Sequence, residues 1–392
     1  MENRTGTAAA RFCARRIQWH PDGGFAEPLP TDLDSPRTLV VAFADRGLDA
    51  ADGPVGGLTR AFPRSIVLAC SSAGEIADEV AELGGLSGVV MRFATGTLRW
   101  ARASIEGRAA RDVGRELAAA LTGEDLKGVF VVSDGLAVNG SELARGLGDG
   151  LPAHVGVAGG LAGDGDRFGA TWVAAGASPG DGTVAAVGFY GENVEIGVGS
   201  DGGWAPFGPG RRVTRSEGNV LYELDGEPAV PLYRDYLGDY AAQLPGSALL
   251  FPLSVRARGM EGAVVRTILA IDEDAGSMTF AGDVDEDAVA HLMTSTGEQL
   301  CQAAAAAAAR SVATLPPDRG QVVAIAVSCV GRRLAMGQRI DDELAAAREA
   351  LPEDAVHVGF YSYGEIGPGE GGACVLHNQT MTILSITERD GA

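Results

Sequence analysis

The sequence lacks the motifs that usually identify an enzyme or a metal protein. It contains no GxSxG nucleophile elbow, no Walker phosphate loop and no GxGxxG at a strand–helix junction. The five cysteines are scattered, odd in number and without a CxxC pair, which argues against a disulfide framework or a structural zinc site. We therefore expect reduced thiols, a cytoplasmic location and no enzymatic activity.

Lysine is almost absent, and the charge balance is strongly negative. Lys127 stands beside thirty arginines, which are spread along the chain rather than grouped in a patch, so we attribute them to a GC-rich genome. The net charge of −21 repels phosphate backbones and anionic lipid, so we expect no nucleic-acid partner. No apolar stretch is long enough for a transmembrane helix, and no secretory signal is recognisable, so we expect no membrane insertion.

The length of 392 residues and the 46% apolar content indicate an ordinary globular protein of about two domains. Residues 1–37 end in a Pro-rich acidic stretch, which predicts a lead-in loop, with a short helix at its start. The PAVP sequence at 228–231 marks a boundary. We therefore predict a first domain over 38–230 and a second over 231–388.

Three short sequences show that part of the chain is repeated. VLACSSAGEI at 67–76 and VGFYSYGEI at 358–366 share Gly-Glu-Ile after an apolar run, and VGVAGGLAGD at 155–164 is a degenerate copy with Asp164 as the acid. The apolar strand that opens each copy begins 35, 34 and 42 residues before its Gly-acid pair. Such self-similarity indicates a duplicated structural unit.

Each copy reads as an apolar strand, a partly helical connection, a second strand that ends in the Gly-acid turn, and two more strands. The predicted strands are 39–44, 66–71, 88–94 and 97–105; 129–133, 154–159, 169–175 and 183–190; and 322–329, 356–362, 371–377 and 380–386. Between the second and third copies we predict a hairpin within 192–230, a helix at 231–241, three strands within 248–284 and a long helix over 285–313. The predicted class is α/β, with mixed β-sheets built from repeated strand–helix–strand units.

The Gly-acid turns are also the best candidates for a binding site. Glycine after a strand brings backbone N–H groups close to a ligand, and a neighbouring carboxylate would accept hydrogen bonds from an amine or amide. The residues that would line this pocket are Glu365, Tyr361, Ser362, Tyr363, Glu75, Ser71 and Ser72. The alternative is that glycine and acid close a turn and bind nothing. We favour the binding role for Glu365, weigh both equally for Glu75, and favour the turn for Asp164.

Longer stretches resemble a known family. They are GSDGGWAPFGPGRRVTRSEGNVLYELDGEPAVPLYRDYLG (199–238), FPLSV (251–255), VVRTILAID (264–272), TFAGDV (279–284), GFYSYGEIGPGEGGACVLHNQTMTILSI (359–386) and, more loosely, SSAGEI (71–76) and VAGGLAGD (157–164). They are similar to FIST N-terminal and FIST C-terminal domains, which are sensory modules of bacterial signalling proteins. The resemblance covers about residues 38–386. It implies intracellular sensing of a small ligand, with amino acids proposed as ligands.

The resemblance also leaves the output and the cofactor open. Because no kinase, cyclase, chemoreceptor or DNA-binding segment is recognisable, we expect the signal to pass to a separate signalling protein such as a histidine kinase or cyclase. Some relatives are haem-based nitric-oxide sensors, so haem is an alternative cofactor, although none is expected. Any of the five histidines could be its one axial ligand.

Two further residues, His377 and Cys70, could take part in ligand binding or catalysis. His377, in LHNQT, could bind an anion or a metal, but a histidine satisfied by neighbouring backbone is the more common case. An enzyme using Cys70 or a pair of glutamates is the remaining alternative, although a packed strand thiol is much more common than a nucleophile without a histidine near it in the sequence.

Overall fold

The computed structural model describes residues 11–49, 52–176, 179–244, 246–259 and 262–389. The strands of its first third are β1 (Cys13–His20), β2 (Gly24–Phe25), β3 (Thr38–Ala44), β4 (Ile66–Ser71), β5 (Glu75–Ala77), β6 (Val80–Glu82), β7 (Leu86–Arg92) and β8 (Thr97–Ser104). Those of the middle third are β9 (Leu126–Ser133), β10 (Gly156–Leu161), β11 (Val173–Ala175), β12 (Thr183–Tyr190), β13 (Val194–Asp201), β14 (Ala205–Glu217), β15 (Val220–Leu224), β16 (Glu227–Pro228) and β17 (Leu253–Arg256).

The remaining strands are β18 (Val264–Arg266), β19 (Ile268–Asp272), β20 (Ser277–Phe280), β21 (Val289–Thr294), β22 (Val323–Cys329), β23 (Val356–Ser362), β24 (Gly364–Pro368), β25 (Cys374–His377) and β26 (Met381–Glu388). The α-helices are α1 (Pro54–Ala61), α2 (Ala110–Leu121), α3 (Gly140–Gly150), α4 (Ala229–Leu237), α5 (Gly297–Ala313), α6 (Val330–Met336) and α7 (Ile340–Glu349). No helix among the described residues is long and apolar enough to cross a membrane.

Three six-stranded sheets share one plan. Sheet I has the order β11-β4-β3-β7-β1-β2, sheet II the order β25-β24-β10-β9-β12-β8, and sheet III the order β13-β26-β22-β23-β5-β6. At the centre of each lies a parallel pair from one copy of the repeat: β3 with β4, β9 with β10, and β22 with β23. The predicted α/β class with repeated units and mixed sheets is confirmed.

The strand that follows each Gly-acid turn leaves its own sheet. β5 pairs with β23 in sheet III, β24 pairs with β10 in sheet II, and β11 pairs with β4 in sheet I. The sheets are therefore linked in a closed cycle with approximate threefold symmetry. All three turns are consequently brought to the same place.

The inner faces of the three sheets form one core. Phe43 from sheet I stacks on Phe360 from sheet III at 4.6 Å, and meets Phe130 from sheet II edge-on at 6.3 Å between ring centroids. Every residue of β3 and β22 is buried, as expected for central strands that are covered on both faces. The outer faces are covered by helices, such as α2 and α3 on sheet II.

The fourth sheet is antiparallel and comes from the region between the second and third copies. Its strand order is β18-β17-β21-β14-β15-β20-β19, with β16 on β15. Helix α4 packs on it through Val230, Tyr233 and Leu237. We call this unit the antiparallel module. The predicted boundary between residues 230 and 231 falls within α4.

Three predictions for secondary structure are wrong. Residues 13–20 form β1 rather than a lead-in loop or short helix, because sheet I needs an edge strand beside β7, as β8 and β13 supply in sheets II and III. The first ten residues of that segment lie outside the described part of the chain. The helix predicted over 285–313 is confined to α5, because β21 alternates Ala290 and Leu292 into the core of the antiparallel module. Four strands, not three, lie within 248–284.

Candidate functional site

The three Gly-acid turns meet in a ring of backbone hydrogen bonds. We call them turn 1 (71–75), turn 2 (161–172) and turn 3 (361–365). The three bonds run from Ala73 N–H to Tyr361 O (2.8 Å), from Gly163 N–H to Ser71 O (3.1 Å) and from Tyr363 N–H to Leu161 O (3.1 Å). Each turn donates to one neighbour and accepts from the other, so the sequence repeat produces a single joint centre.

In turn 1 the acid is buried and bonded within the protein. Ser72 Oγ donates to Glu75 Oε1, and Gly85 N–H donates to Glu75 Oε2 at 3.2 Å. Burial raises the pKa of Glu75 to about 8. Gly74 has a φ of +137°, and a Cβ there would lie 3.1 Å from the ring of Tyr361, so this position requires glycine.

Turn 3 repeats the same arrangement. Ser362 Oγ donates to Glu365 Oε1 at 2.6 Å, while the N–H and hydroxyl of Thr380 donate to Oε2 at 3.1 and 3.0 Å. Burial raises the pKa of Glu365 to about 7. Both glutamates thus hold their turn to the residue just before a later strand, Gly85 before β7 and Thr380 before β26.

Turn 2 departs from this pattern. The strand register places Val173 where the other turns have Glu75 and Glu365, since Val173 lies opposite Cys70, Glu75 opposite Phe360 and Glu365 opposite Gly160. Residues 164–171 are therefore an insertion of eight residues between Gly163 and Trp172. The interpretation of Asp164 as the counterpart of the two glutamates is wrong, because it belongs to the insertion.

Another carboxylate fastens the corresponding strand of sheet II. Asp134, at the end of β9, accepts hydrogen bonds from the N–H groups of Leu136 and Ala137 at 2.8 Å and of Gly182 at 3.0 Å. Gly182 directly precedes β12, which occupies the place of β7 and β26. The fastening acid of the second copy therefore comes from a different loop, and the sequence spacing does not reveal it.

The insertion forms one wall of a cleft between the core and the antiparallel module, which we call the Tyr363 cleft. Its volume is about 300 Å³. The lining residues are Gly135, Leu136, Ala137, Val138, Asn139, Gly140, Leu161, Phe168 and Tyr363 from the core, and Asn219, Leu269, Phe280, Ala281, Gly282 and Asp283 from the antiparallel module. The cleft lies at the carboxyl ends of β9 and β10, where ligands commonly bind α/β sheets.

Phe168 is the distinctive side chain of this cleft. Its ring stacks on Tyr363 with 4.5 Å between centroids and 18° between planes, yet 41% of its surface remains exposed. Its φ is +48°, a strained conformation for an aromatic residue. Leu136 and Leu269 are also exposed at the rim. Strained backbone is concentrated at functional sites, so the exposed, strained ring of Phe168 makes this cleft the candidate binding surface.

Asp164 holds the insertion in this conformation. Its carboxylate accepts hydrogen bonds from the hydroxyl of Tyr363 and from the N–H groups of Gly169 (2.9 Å) and Ala170 (3.0 Å). Burial acts to raise the pKa of Asp164, but the hydrogen bonds from Tyr363, Ala170 and Gly169 outweigh burial and lower the pKa. The loop that carries Phe168 is thus fixed to turn 3.

Polar groups occupy the opposite side of the cleft. Asn139 caps α3 by accepting from Glu142 N–H at 3.0 Å, and its amide donates to Asp283 at 3.0 Å. Arg145 donates to the other oxygen of Asp283 at 3.1 Å. The cleft therefore combines an aromatic wall with a helix N-terminus, an amide and a carboxylate, a mixture suited to a small ligand of both polar and apolar character.

The structure gathers seven of the eight predicted site residues around the joint centre. Ser71, Ser72, Glu75, Tyr361, Ser362 and Glu365 are buried there, and Tyr363 extends from it into the cleft. His377 pairs with Glu365 across β24 and β25; its Nε2 lies 3.0 Å from Pro368 O, and burial lowers its pKa to about 4. Ligand binding by these residues stays a prediction. Phe168, Asn139 and Asp283 were missed, because no local motif marks them.

The structure also shows where the residues of the enzyme, metal and haem alternatives lie. Cys70 is buried within β4, and burial raises the pKa of its thiol, which makes it a poor nucleophile. No group of three or more His, Cys, Asp or Glu residues among those described could hold a metal ion. His154 lines a cavity of about 670 Å³ at the other end of sheet II, together with Lys127 and Arg111. We call this the His154 cavity.

Comparison with known proteins gives the family. Nothing matches among the curated proteins. Among solved structures, cyanuric acid hydrolase from A. caulinodans is similar over 97% of this chain and 99% of that chain, with 9% sequence identity and a TM-score of 0.38. The FIST N domain matches residues 38–227, and the FIST C domain matches residues 229–368. Since these matches cover most of its length, the chain belongs to the FIST family of sensory proteins.

Proposed function

We propose that this FIST protein reversibly binds a small ligand in the Tyr363 cleft, as the sensory part of a bacterial signal-transduction pathway. The observation that carries the proposal is the strained, exposed ring of Phe168 stacked on Tyr363 in a cleft between two structural units. A cleft of about 300 Å³ suits a ligand of the size of an amino acid or nucleobase.

Ligand binding would act on the arrangement of the core and the antiparallel module. A ligand between Phe168 and Asp283 contacts both units at once. It shifts their arrangement only if its affinity differs between the bound and unbound geometries. The ligand-induced arrangement would then be read by a separate signalling protein, such as a histidine kinase or a cyclase, in the cytoplasm.

A thermal-shift screen of amino acids and nucleobases tests this proposal. A ligand that stabilises the wild type should lose about fivefold or more in affinity in Phe168→Ala, because a stacking contact of about 1–3 kcal/mol is removed. Phe207→Ala is the matched control, since Phe207 is also an exposed aromatic residue and lies on the antiparallel module. Full affinity in Phe168→Ala, with loss in Glu75→Gln or Glu365→Gln, would instead move the site into the buried turns.

Haem binding is the second candidate, and the observation that favours it is the His154 cavity. An exposed histidine lines a cavity of about 670 Å³ that also contains Lys127, Arg111 and the apolar side chains of Ile196 and Val198. His154 would supply the axial nitrogen, and the basic side chains would pair with propionates. Reconstitution with haem should give a Soret band that His154→Ala abolishes and His20→Ala retains. A colourless wild type, or an unchanged band in His154→Ala, removes this candidate.

A further inference from the structure

A further cavity lies where the edges of two sheets face each other. Its volume is about 420 Å³, and we call it the Arg266 cavity. β18 is the edge strand of the antiparallel module, and β25 is the edge strand of sheet II. Arg266 on β18, Leu376 on β25 and Ser141 on α3 line the cavity. It is thus a second seam between the core and the antiparallel module.

Arg266 is an unusual residue for this position. Only 4% of its surface is exposed, and no carboxylate of the described residues lies within ion-pair distance of its guanidinium. Its hydrogen bonds go to backbone carbonyls, from Nε to Asp283 (2.8 Å) and from Nη1 to Leu376 (2.9 Å) and Val265 (3.3 Å). Nη2 has no hydrogen-bond partner in the described chain. Buried charges are normally paired, and no carboxylate of the described residues pairs with this one.

Asp283 and Asp285 line the same cavity, but both are paired with Arg145 rather than with Arg266. Asp283 is bonded by Arg145 and Asn139, as described above. Asp285 is half exposed and lies 3.8 Å from Arg145. Burial lowers the pKa of Arg266 to about 10, with Asp283 acting in the opposite direction and Arg145 adding to the decrease. Arg266 therefore remains charged at neutral pH without a direct ion pair among the described residues.

The surrounding residues leave room for the guanidinium. A Cβ at position 282 would lie 3.0 Å from Arg266 Cζ and 3.1 Å from Ser141 Oγ, so Gly282 is needed for this packing. Arg145 lines the same cavity and brings a second guanidinium. Arg145 is engaged by Glu142, Asp283 and Asp285, so the available donor is Nη2 of Arg266. A guanidinium donor beside a buried hydroxyl is a group that binds a carboxylate or phosphate.

We propose that the Arg266 cavity binds the oxyanion group of a small ligand, a carboxylate or a phosphate, through the Nη2 donor of Arg266. The site is separate from the Tyr363 cleft, on the other side of Asp283. The bound oxyanion supplies the missing counter-charge and connects β18 to α3. It thereby strengthens the contact between the antiparallel module and the core.

Thermal unfolding in inorganic phosphate, acetate and chloride at matched ionic strength tests the proposal. At least one oxyanion should raise the melting temperature saturably above the chloride value, and comparison of the two distinguishes phosphate from carboxylate. Arg266→Met should abolish this excess, or weaken the oxyanion at least about tenfold, because a charge-assisted hydrogen bond is lost. Arg256→Met, an exposed arginine on the adjacent β17, should respond as the wild type does.

A second variant keeps the test decisive if Arg266→Met does not fold. Ala257→Glu retains Arg266 and adds a carboxylate to the lining of the cavity, so it should compete with the free oxyanion and remove the excess stabilisation. The proposal is overturned if neither oxyanion exceeds chloride in the wild type, or if Ala257→Glu keeps the full response. Phe168→Ala should leave the response unchanged, which separates this site from the Tyr363 cleft.

Discussion

Turns 1 and 3 bury their acids, whereas turn 2 has lost the acid and gained a loop. Glu75 and Glu365 each accept a hydrogen bond from a serine three residues earlier. Each also accepts one from the N–H group that directly precedes β7 or β26. At the same register turn 2 has Val173, and residues 164–171 extend from the ring towards the antiparallel module. We call turns 1 and 3, with their buried acids, the closed turns, and turn 2, with its inserted loop, the open turn. The joint centre contains all three.

The difference between the turns separates structure from function within the repeat. The geometry that the two closed turns share satisfies the hydrogen bonds of buried polar groups. Breaking those hydrogen bonds is costly. The open turn exposes Phe168 in a strained conformation beside the cleft. In a duplicated architecture, the copy that departs from the pattern is accordingly the better place to look for a ligand.

Removal of a closed-turn acid should have the largest effect. Glu365→Ala should lower the free energy of unfolding by about 3 kcal/mol, because it opens a small cavity and leaves the N–H of Thr380 without its acceptor. Urea unfolding followed by circular dichroism measures this loss. A loss no larger than that of an exposed variant such as Glu349→Ala would mean that Glu365 is not a structural acid, and would restore its role in ligand binding.

The pH dependence of the same residue should have an effect of similar size. The pKa of Glu365 rises from an ordinary 4.5 to about 7, so the folded chain binds more protons than the unfolded chain between these values, and stability falls as pH rises. The free energy of unfolding of the wild type, minus that of Glu365→Gln, should decrease by roughly 1.4 kcal/mol per pH unit up to about pH 7 and level off above. A difference that is flat or rises with pH would contradict the burial of this carboxyl group.

Deletion of residues 164–171 should turn the open turn into a closed one. Turn 1 joins the corresponding positions directly through Ala73 and Gly74, so we expect the shortened chain to fold cooperatively. The cost should be about 1–2 kcal/mol, from the lost hydrogen bonds between Asp164 and Tyr363. Cleft-specific ligand stabilisation should vanish. A chain that no longer folds would show that the insertion belongs to the core.

The smallest effect should come from Tyr363→Phe. It removes the hydroxyl that donates to Asp164 but keeps the ring under Phe168, so the free energy of unfolding should fall by only about 1 kcal/mol. Ligand affinity should change more than stability if the position of Phe168 depends on this bond. Thermal unfolding with and without ligand measures both. A larger loss of stability than in Glu365→Ala would reverse the comparison between the turns.

Much of the core could be predicted from the sequence. The opening strands are recognisable because strands that are buried on both faces are almost entirely apolar, as in TLVVAFA of β3 and VAIAVSC of β22. β1 was not recognisable, because its CARRIQWH sequence contains exposed arginines and belongs to an edge. β21 was missed because a short apolar run before a helix is ambiguous without its pairing partners.

The candidate site was predicted only in part. The turns with Glu75 and Glu365 could be found from their local spacing, and the structure does bring them together. The opposing Asn139 and Asp283 are 144 residues apart, and only the packing of the antiparallel module on α3 makes them neighbours. Sequence similarity aligns Asp164 with Glu75 and Glu365, although Val173 has that position in the strand register, because similarity cannot show where an insertion begins.

The sequence by itself determined the duplicated architecture, since burial on both faces and glycine at a positive φ constrain residue type locally. It also determined membership of the FIST family. Only the tertiary structure decided how the copies exchange strands, which turn opens, and which side chains meet in the Tyr363 cleft and the Arg266 cavity. Those outcomes depend on contacts between residues far apart in the chain, and no local pattern encodes them.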